Sequence, residues 1–227
     1  MKHSTVAPLR PLALAALLAC AAFHAPARAA AADAAACASL GPRLAGQWPD
    51  ASTEVELAQW VAAGPLALPP TPYGPPQTLD VPAHCELIAH LQSREGTLGQ
   101  HYAIRFHLRM PADWNGRFLF TGGGGSNGNL GDALGQLAPG TKPALSQGYA
   151  VVSQDSGHDN AANDDPAHAG ALVFGFDPRA RSNYGHASLP LVADAAVRAL
   201  RGFYDSAPRY RYFVGCSKGG EEAMAVA

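Results

Sequence analysis

The run Gly215-Cys216-Ser217-Lys218-Gly219 sets a serine between two glycines at the spacing of a nucleophile elbow. In such an elbow a strand breaks sharply into a helix and lifts the serine hydroxyl clear of the backbone. The glycines have a steric purpose, because a Cβ two residues either side of Ser217 would collide as strand and helix fold back on each other. The flanks agree: residues 209–214 are aromatic and β-branched, as a strand requires, and Glu221-Glu222-Ala223-Met224-Ala225 offers helix formers with acids in the first turn. The chemistry expected is nucleophilic acyl transfer through Ser217, and the competing reading is an ordinary Gly/Ser turn. Chains of this architecture supply an acid and a histidine after the serine. Ten residues follow Ser217, so residues 1–227 alone are expected to turn over little or nothing.

A second cluster, Gly122-Gly123-Gly124-Gly125-Ser126-Asn127-Gly128, follows directly on an apolar strand pattern at 117–121. It reads either as a flexible linker or as a cradle of backbone amides. A phosphate loop is disfavoured because no Gly-Lys-Ser/Thr follows. Paired with the elbow, the run would give one N–H of an oxyanion hole and the residue after the serine the other, which makes Gly125 and Lys218 the candidates. His158 precedes Ser217 in the chain and is read as structural. The stretch 155–169 holds Asp155, Asp159, Asn163, Asp164 and Asp165. It lacks the regular oxygen ligands and glycine of a calcium loop and is read as solvated, and no metal is assigned to the chain.

The elements that must position these residues follow from periodicity. Residues 102–110 alternate Tyr102, Ile104, Phe106 and Leu108 with Arg105, His107 and Arg109, the pattern of a half-buried strand. A turn at 111–116 leads to the strand at 117–121. A short helix at 142–147, closed by Gly148, precedes a strand at 149–154. Ser188-Leu189-Pro190 opens a helix whose stripe Leu189, Val192, Ala196, Ala199, Leu200 and Phe203 runs to Tyr204. Residues 53–63 fit a short helix, and 65–82, with seven prolines, an extended connector. Strands separated by helices imply an α/β fold, a mainly parallel sheet flanked by helices, cut off after the elbow and carrying its site at the carboxyl edge.

Composition bounds the class. With 15% charged residues and 48% hydrophobic ones, the 227-residue chain reads as a soluble globular protein, not a disordered or nucleic-acid-binding one. Lys2 and Arg10 precede an apolar run at 12–23 and Ala27-Arg28-Ala29, the layout of a secretory signal peptide too short to span a bilayer. Export to the periplasm or medium is expected, with a lipoprotein acylated at Cys20 as the alternative. Cleavage after Ala29 removes three cationic side chains and no acid, which moves the formal net charge from −2 to −5. The expected division is 1–29 signal peptide, 30–100 N-terminal segment with the proline-rich connector, and 101–227 incomplete catalytic domain. Three cysteines then remain, an odd number for an exported protein. Cys37 and Cys85 are expected to pair across the proline-rich segment, while Cys216 is either a small buried hydrophobe or bonded to a cysteine beyond residue 227.

Taken together, the elbow, Trp114-Asn115-Gly116-Arg117-Phe118, the glycine run, Gly148-Tyr149-Ala150-Val151-Val152 and Asp155-Ser156-Gly157-His158 resemble the tannase and feruloyl esterase family of α/β-hydrolases. The resemblance implies serine hydrolysis of small aromatic acid esters of tannin, feruloyl or terephthalate monoester type, through an acyl-enzyme and without a resident cofactor. It also implies a disulfide from Cys216 to a cysteine after the catalytic histidine, and a large lid, often with calcium, downstream of the nucleophile. Alternatives are a non-catalytic binding module and a hydrolase of aliphatic esters or thioesters. Lys218 departs from the family, which usually has threonine or glutamate there. Its cation is expected to stand near the scissile bond and favour substrates with a second carboxylate.

Overall fold

Residues 101–111 form the centre of the molecule because both of their faces are covered. The computed structural model describes residues 32–70, 75–138 and 140–227; the signal-peptide and Cys20 expectations lie outside them. Two short helices, α1 (Ala34–Ala38) and α2 (Leu40–Leu44), precede strand β1 (Glu54–Val61). A small antiparallel pair follows, β2 (Gly64–Leu68) and β3 (Gln77–Val81), then the long strands β4 (His84–Glu95) and β5 (His101–Pro111). After β6 (Arg117–Thr121) and β7 (Ala150–Gln154), α3 (Pro178–Ser182) runs through a π-helical turn (Asn183–Ala187) into α4 (Ser188–Tyr204). Strand β8 (Tyr210–Val214) and helix α5 (Lys218–Val226) close the order. Among the described residues no helix is long and apolar enough to cross a membrane.

The main sheet has the order β1-β4-β5-β7-β6-β8. It is mixed and not mainly parallel. The pairs β1–β4, β4–β5 and β5–β7 are antiparallel, and only β7–β6 and β6–β8 are parallel. Connection length explains the difference: residues 96–100 between β4 and β5 suffice for a turn but not for a crossover, whereas α4 carries the chain from β7 to β8. The parallel part of the sheet is the half that holds the elbow. The division expected at residue 100 falls between β4 and β5, neighbours in this one sheet.

Two other expectations are corrected. Residues 54–61 are a strand, not a helix, because their backbone pairs with β4 from Glu54↔His90 to Val61↔His84, with a bulge at Val55/Leu57. The proline-rich stretch is no extended connector. Its ends pair as β2 and β3, from Gly64↔Val81 to Leu68↔Gln77, and a strand with a free edge tolerates a proline such as Pro65 that donates no hydrogen bond.

One face of the sheet packs on α4. Leu87, Leu91, Ile104, Phe106, Leu108 and Val152 meet Leu189, Val192, Ala196, Leu200 and Phe203, with Leu40 and Leu44 of α2 beside them. Cys37 and Cys85 are bonded within this core with Cα atoms 5.5 Å apart, so the expected pairing is present. Ser188 does not cap α4 as expected. The chain is already helical from Pro178, where Asp177 accepts from the Ala180 N–H, and the Ser188 hydroxyl donates to the Asn183 carbonyl at 2.8 Å.

The opposite face carries Leu119 and Val151 under Leu134, Ala144 and Leu145, then a buried polar cluster. Glu86 Oε1 accepts from Arg109 at 2.7 Å and contacts His107 Nε2 at 2.8 Å, and Arg109 also donates to His84 Nε2 at 2.6 Å. The His107 bond holds Glu86 down to about 2, while burial, with the Arg109 cation, pushes His84 down to about 4. His107 and Arg109 therefore do not face solvent as their alternation implied. The chain returning from the glycine run covers them: Arg109 Nε donates to the Asp132 carbonyl, and His107 Nδ1 lies 2.8 Å from the Gly131 carbonyl.

Candidate functional site

The three parallel strands β7, β6 and β8 end at one edge of the sheet, so their carboxyl-terminal loops converge there. These are 155–158 after β7, the glycine run after β6, and the elbow after β8. Crevices at such edges are where sheets of this kind bind ligands.

Ser217 lies between β8 and α5 with φ 55° and ψ −119°, outside the conformations ordinary residues prefer. A serine just before a helix normally caps it. Ser217 makes no such bond, and the residue is exposed. The flanking glycines explain how the chain tolerates this turn. A Cβ on Gly215 would stand 2.4 Å from the Gly219 carbonyl, and one on Gly219 would stand 2.9 Å from the Gly123 oxygen. Gly122 belongs to the same contact, since its Cβ would meet Gly219 Cα at 2.6 Å. Strand, helix and glycine run approach one another at distances that exclude side chains. The Gly122 N–H donates to the Val214 carbonyl at 2.9 Å, which fastens the run to the end of β8.

Of the two expected oxyanion donors, Gly125 is at the exposed tip of the run, with φ 59° and open space where a Cβ would be. Among the described residues nothing accepts its N–H. The Lys218 N–H opens α5 and likewise meets no acceptor there, as the first helix amides usually do. The Lys218 side chain differs from expectation. It is buried, its Nζ is 3.0 Å from Glu221 and sits 3.8 Å over the Tyr184 ring. That ammonium is engaged within the protein and is not a free cation beside the serine. Cys216 is exposed and makes no disulfide among the described residues, so the buried-hydrophobe reading fails.

A residue with no sequence signal beyond helix propensity joins these loops. Glu222, on α5 and 1% exposed, accepts from the Gly123 N–H at 2.9 Å through Oε2. Through Oε1 it accepts from Asn127 Nδ2 at 2.7 Å and from the Ser156 hydroxyl at 3.1 Å. Asn127 gives its other amide hydrogen to Ser156 Oγ at 2.5 Å.

The stretch 155–169 is solvated as expected over most of 159–169, but its start is not: Asp155, Ser156 and His158, with Asn163, are each at most 2% exposed. Asp155 Oδ1 accepts from the backbone N–H of Arg105 and Gly157, yet burial outweighs both bonds and raises its carboxyl to about 8. His158 stacks on Phe174 with ring centroids 3.9 Å apart, and burial pushes it down to about 4. The ring is thus packed and neutral.

The sequence pattern described as tannase and feruloyl esterase matches residues 85–227. The chain is 43% identical over 178 residues to mono(2-hydroxyethyl) terephthalate hydrolase of Piscinibacter sakaiensis, a match that covers 78% of this chain and 28% of that protein. It is 28% identical over 163 residues to a probable feruloyl esterase of Arthroderma benhamiae, over 70% of this chain and 28% of the relative. Among solved structures, feruloyl esterase B from Aspergillus oryzae superposes with a TM-score of 0.58 at 20% identity, over 80% of this chain and 33% of that one. Tannin acyl hydrolase from Aspergillus niger gives 0.54 at 19% identity, over 83% and 34%. The structural matches show a shared fold. The chain spans less than a third of the length of these curated relatives.

Proposed function

The chain belongs to the tannase and feruloyl esterase family, and from that premise we propose that the full-length protein is a serine hydrolase of aromatic carboxylic esters. The observation that carries this reading is Ser217, held at φ 55° between β8 and α5 with its hydroxyl released from capping. Strain of this kind, about 1 to 3 kcal/mol per residue, persists where the surroundings impose it and clusters at active sites. Ser217 Oγ attacks the ester carbonyl carbon, the alcohol leaves, and water hydrolyses the acyl-enzyme to release the acid. The N–H groups of Gly125 and Lys218 receive the oxyanion as charge develops, and loss of one such donor costs about 3 to 4 kcal/mol of barrier.

The acid and the histidine follow the serine in the chain order of this architecture, and thus belong to the part of the relatives that residues 1–227 do not span. On this reading these residues alone turn over little, because a serine without its base is a weak nucleophile. The 43% identity to a terephthalate monoester hydrolase favours an aromatic acyl group. A fluorophosphonate probe and a panel of aromatic and aliphatic 4-nitrophenyl esters test the proposal on the full-length protein. Labelling of Ser217, loss of turnover in Ser217→Ala and preference for the aromatic acyl group are expected. Full turnover in Ser217→Ala overturns the proposal, and preference for the aliphatic esters replaces its substrate class.

A further inference from the structure

We propose that Glu222 is a positioning residue for the oxyanion loop, an inference that rests on the esterase reading above. Its carboxylate, on the helix that follows β8, bonds both of the other loops at the catalytic edge. Glu222 itself follows β8, Gly123 and Asn127 follow β6, and Ser156 follows β7. Each loop contains a non-glycine residue at positive φ: Ser217 at 55°, Asn127 at 56° and Ser156 at 65°. Two of these strained residues donate directly to Glu222, so its bonds help impose their conformations.

The geometry at the glycine run gives the role its content. Gly123 and Asn127 are both anchored to Glu222, and the Asn127 N–H donates to the Gly124 carbonyl at 2.9 Å. Only Gly124, Gly125 and Ser126 lie between the anchors. A tip with two glycines is otherwise free to sample many conformations. Fastening both ends to one carboxylate fixes the direction of the Gly125 N–H before substrate arrives, and a preorganised donor is what oxyanion stabilisation requires. The Gly123 N–H is spent on Glu222 and is not available as the donor.

The donor pattern admits a specific test. Glu222 receives three hydrogens and gives none. In Glu222→Gln one acceptor oxygen becomes an NH2 group, which faces either the Gly123 N–H or the Asn127 amide, a donor against a donor. Adding Asn127→Asp reverses the second contact. The new side-chain amide at position 222 then donates to the new carboxylate at position 127, while its oxygen accepts from Gly123 and the carboxylate accepts from Ser156. The net charge is unchanged and each hydrogen bond has a donor and an acceptor again.

The experiment compares wild-type, E222Q and N127D/E222Q full-length proteins with 4-nitrophenyl benzoate, with active sites counted by fluorophosphonate titration. E222Q is expected to lower kcat per titrated site about 10²-fold with KM within about threefold, the cost of misplacing a catalytic group by about 1 Å. N127D/E222Q is expected to regain at least about tenfold of that loss, because the match is restored. Turnover per site in E222Q within about threefold of wild type, or a loss the double variant does not recover, overturns the positioning role. If E222Q does not fold, Asn127→Ala, which frees one end of the tip, replaces it, and a kcat per site within about threefold of wild type is the overturning result. Failure of the esterase reading is separable: wild type would then go unlabelled at Ser217 and Ser217→Ala would keep its turnover.

Discussion

Replacing Asp177 by alanine should destabilise the protein by about 3 kcal/mol, most of it from Arg94. The Asp177 carboxylate accepts from both Arg94 guanidinium nitrogens, at 3.0 and 2.6 Å, from the Thr97 N–H at 3.0 Å and from the Ala180 N–H at 2.8 Å. It thereby joins the β4–β5 turn to the start of α3. The lost cap is worth about 1 kcal/mol. A hydrogen bond to a charged group is worth about 1.5 to 3 kcal/mol, and the Arg94 side chain, 18% exposed, recovers part of that by turning to water, which leaves about 2 kcal/mol. The total sits at the low end of the cost of breaking one side of a buried pair. Arg94 holds the Asp177 carboxyl well below the usual carboxylate range, so the stabilisation is present above the ordinary carboxylate pKa and fades only as pH falls through the lowered value. Guanidinium unfolding of wild-type and D177A full-length protein at pH 7 and pH 4 should give nearly the same difference. A difference below about 1 kcal/mol at pH 7 would show that desolvation of the pair cancels its attraction and would refute the reasoning.

Gly215→Ala should leave little folded protein, because its Cβ meets the Gly219 backbone at 2.4 Å, whereas Gly124→Ala, with open space around it, should change stability by less than about 0.5 kcal/mol; soluble yield and thermal unfolding compare the two. Cys37→Ser with Cys85→Ser removes a cross-link over a separation of 48 residues and should cost about 4 kcal/mol, read against oxidised wild type by denaturant unfolding. His158 is pushed down to about 4 from 6.5 by burial, so the unfolded chain binds its proton first and stability falls as pH drops from 6.5 through 4. In His158→Asn that acid loss should shrink by up to about 3 kcal/mol. His84, shifted the same way, supplies part of the slope that remains. An unchanged slope in the variant would refute the assignment.

Local pattern was enough where local sterics decide the outcome. The elbow was legible because Gly215 and Gly219 have no freedom to be anything larger, and α4 because its stripe repeats over seventeen residues. The alternation of residues 102–110 told which side chains share a face but not what covers each face. His107 and Arg109 look solvated in the sequence, and only the return of Gly131 and Asp132 across the sheet buries them. The apolar spacing of β1 suits a helix or a strand, and pairing with β4, distant in sequence, decides between them. Glu222 is the extreme case. Its partners Gly123 and Asn127 are 99 and 95 residues away, so no window of sequence contains the reason it is an acid.

Lys218 shows why a change of side chain beside the serine need not change the chemistry there. The oxyanion donor assigned to this position is the backbone N–H, which every residue except proline carries. The side chain is then free to serve packing. An ammonium in the first turn of a helix opposes the helix dipole, and here two neighbours offset it: the Glu221 carboxylate 3.0 Å away and the Tyr184 ring 3.8 Å below. Tyr184 lies in the π-helical turn that leads into α4 and packs on Phe174, the ring that covers His158. Lys218 thus links the start of α5 to the buried loop after β7 through an aromatic stack. With its charge spent in this way, a preference for substrates bearing a second carboxylate has no support from this residue.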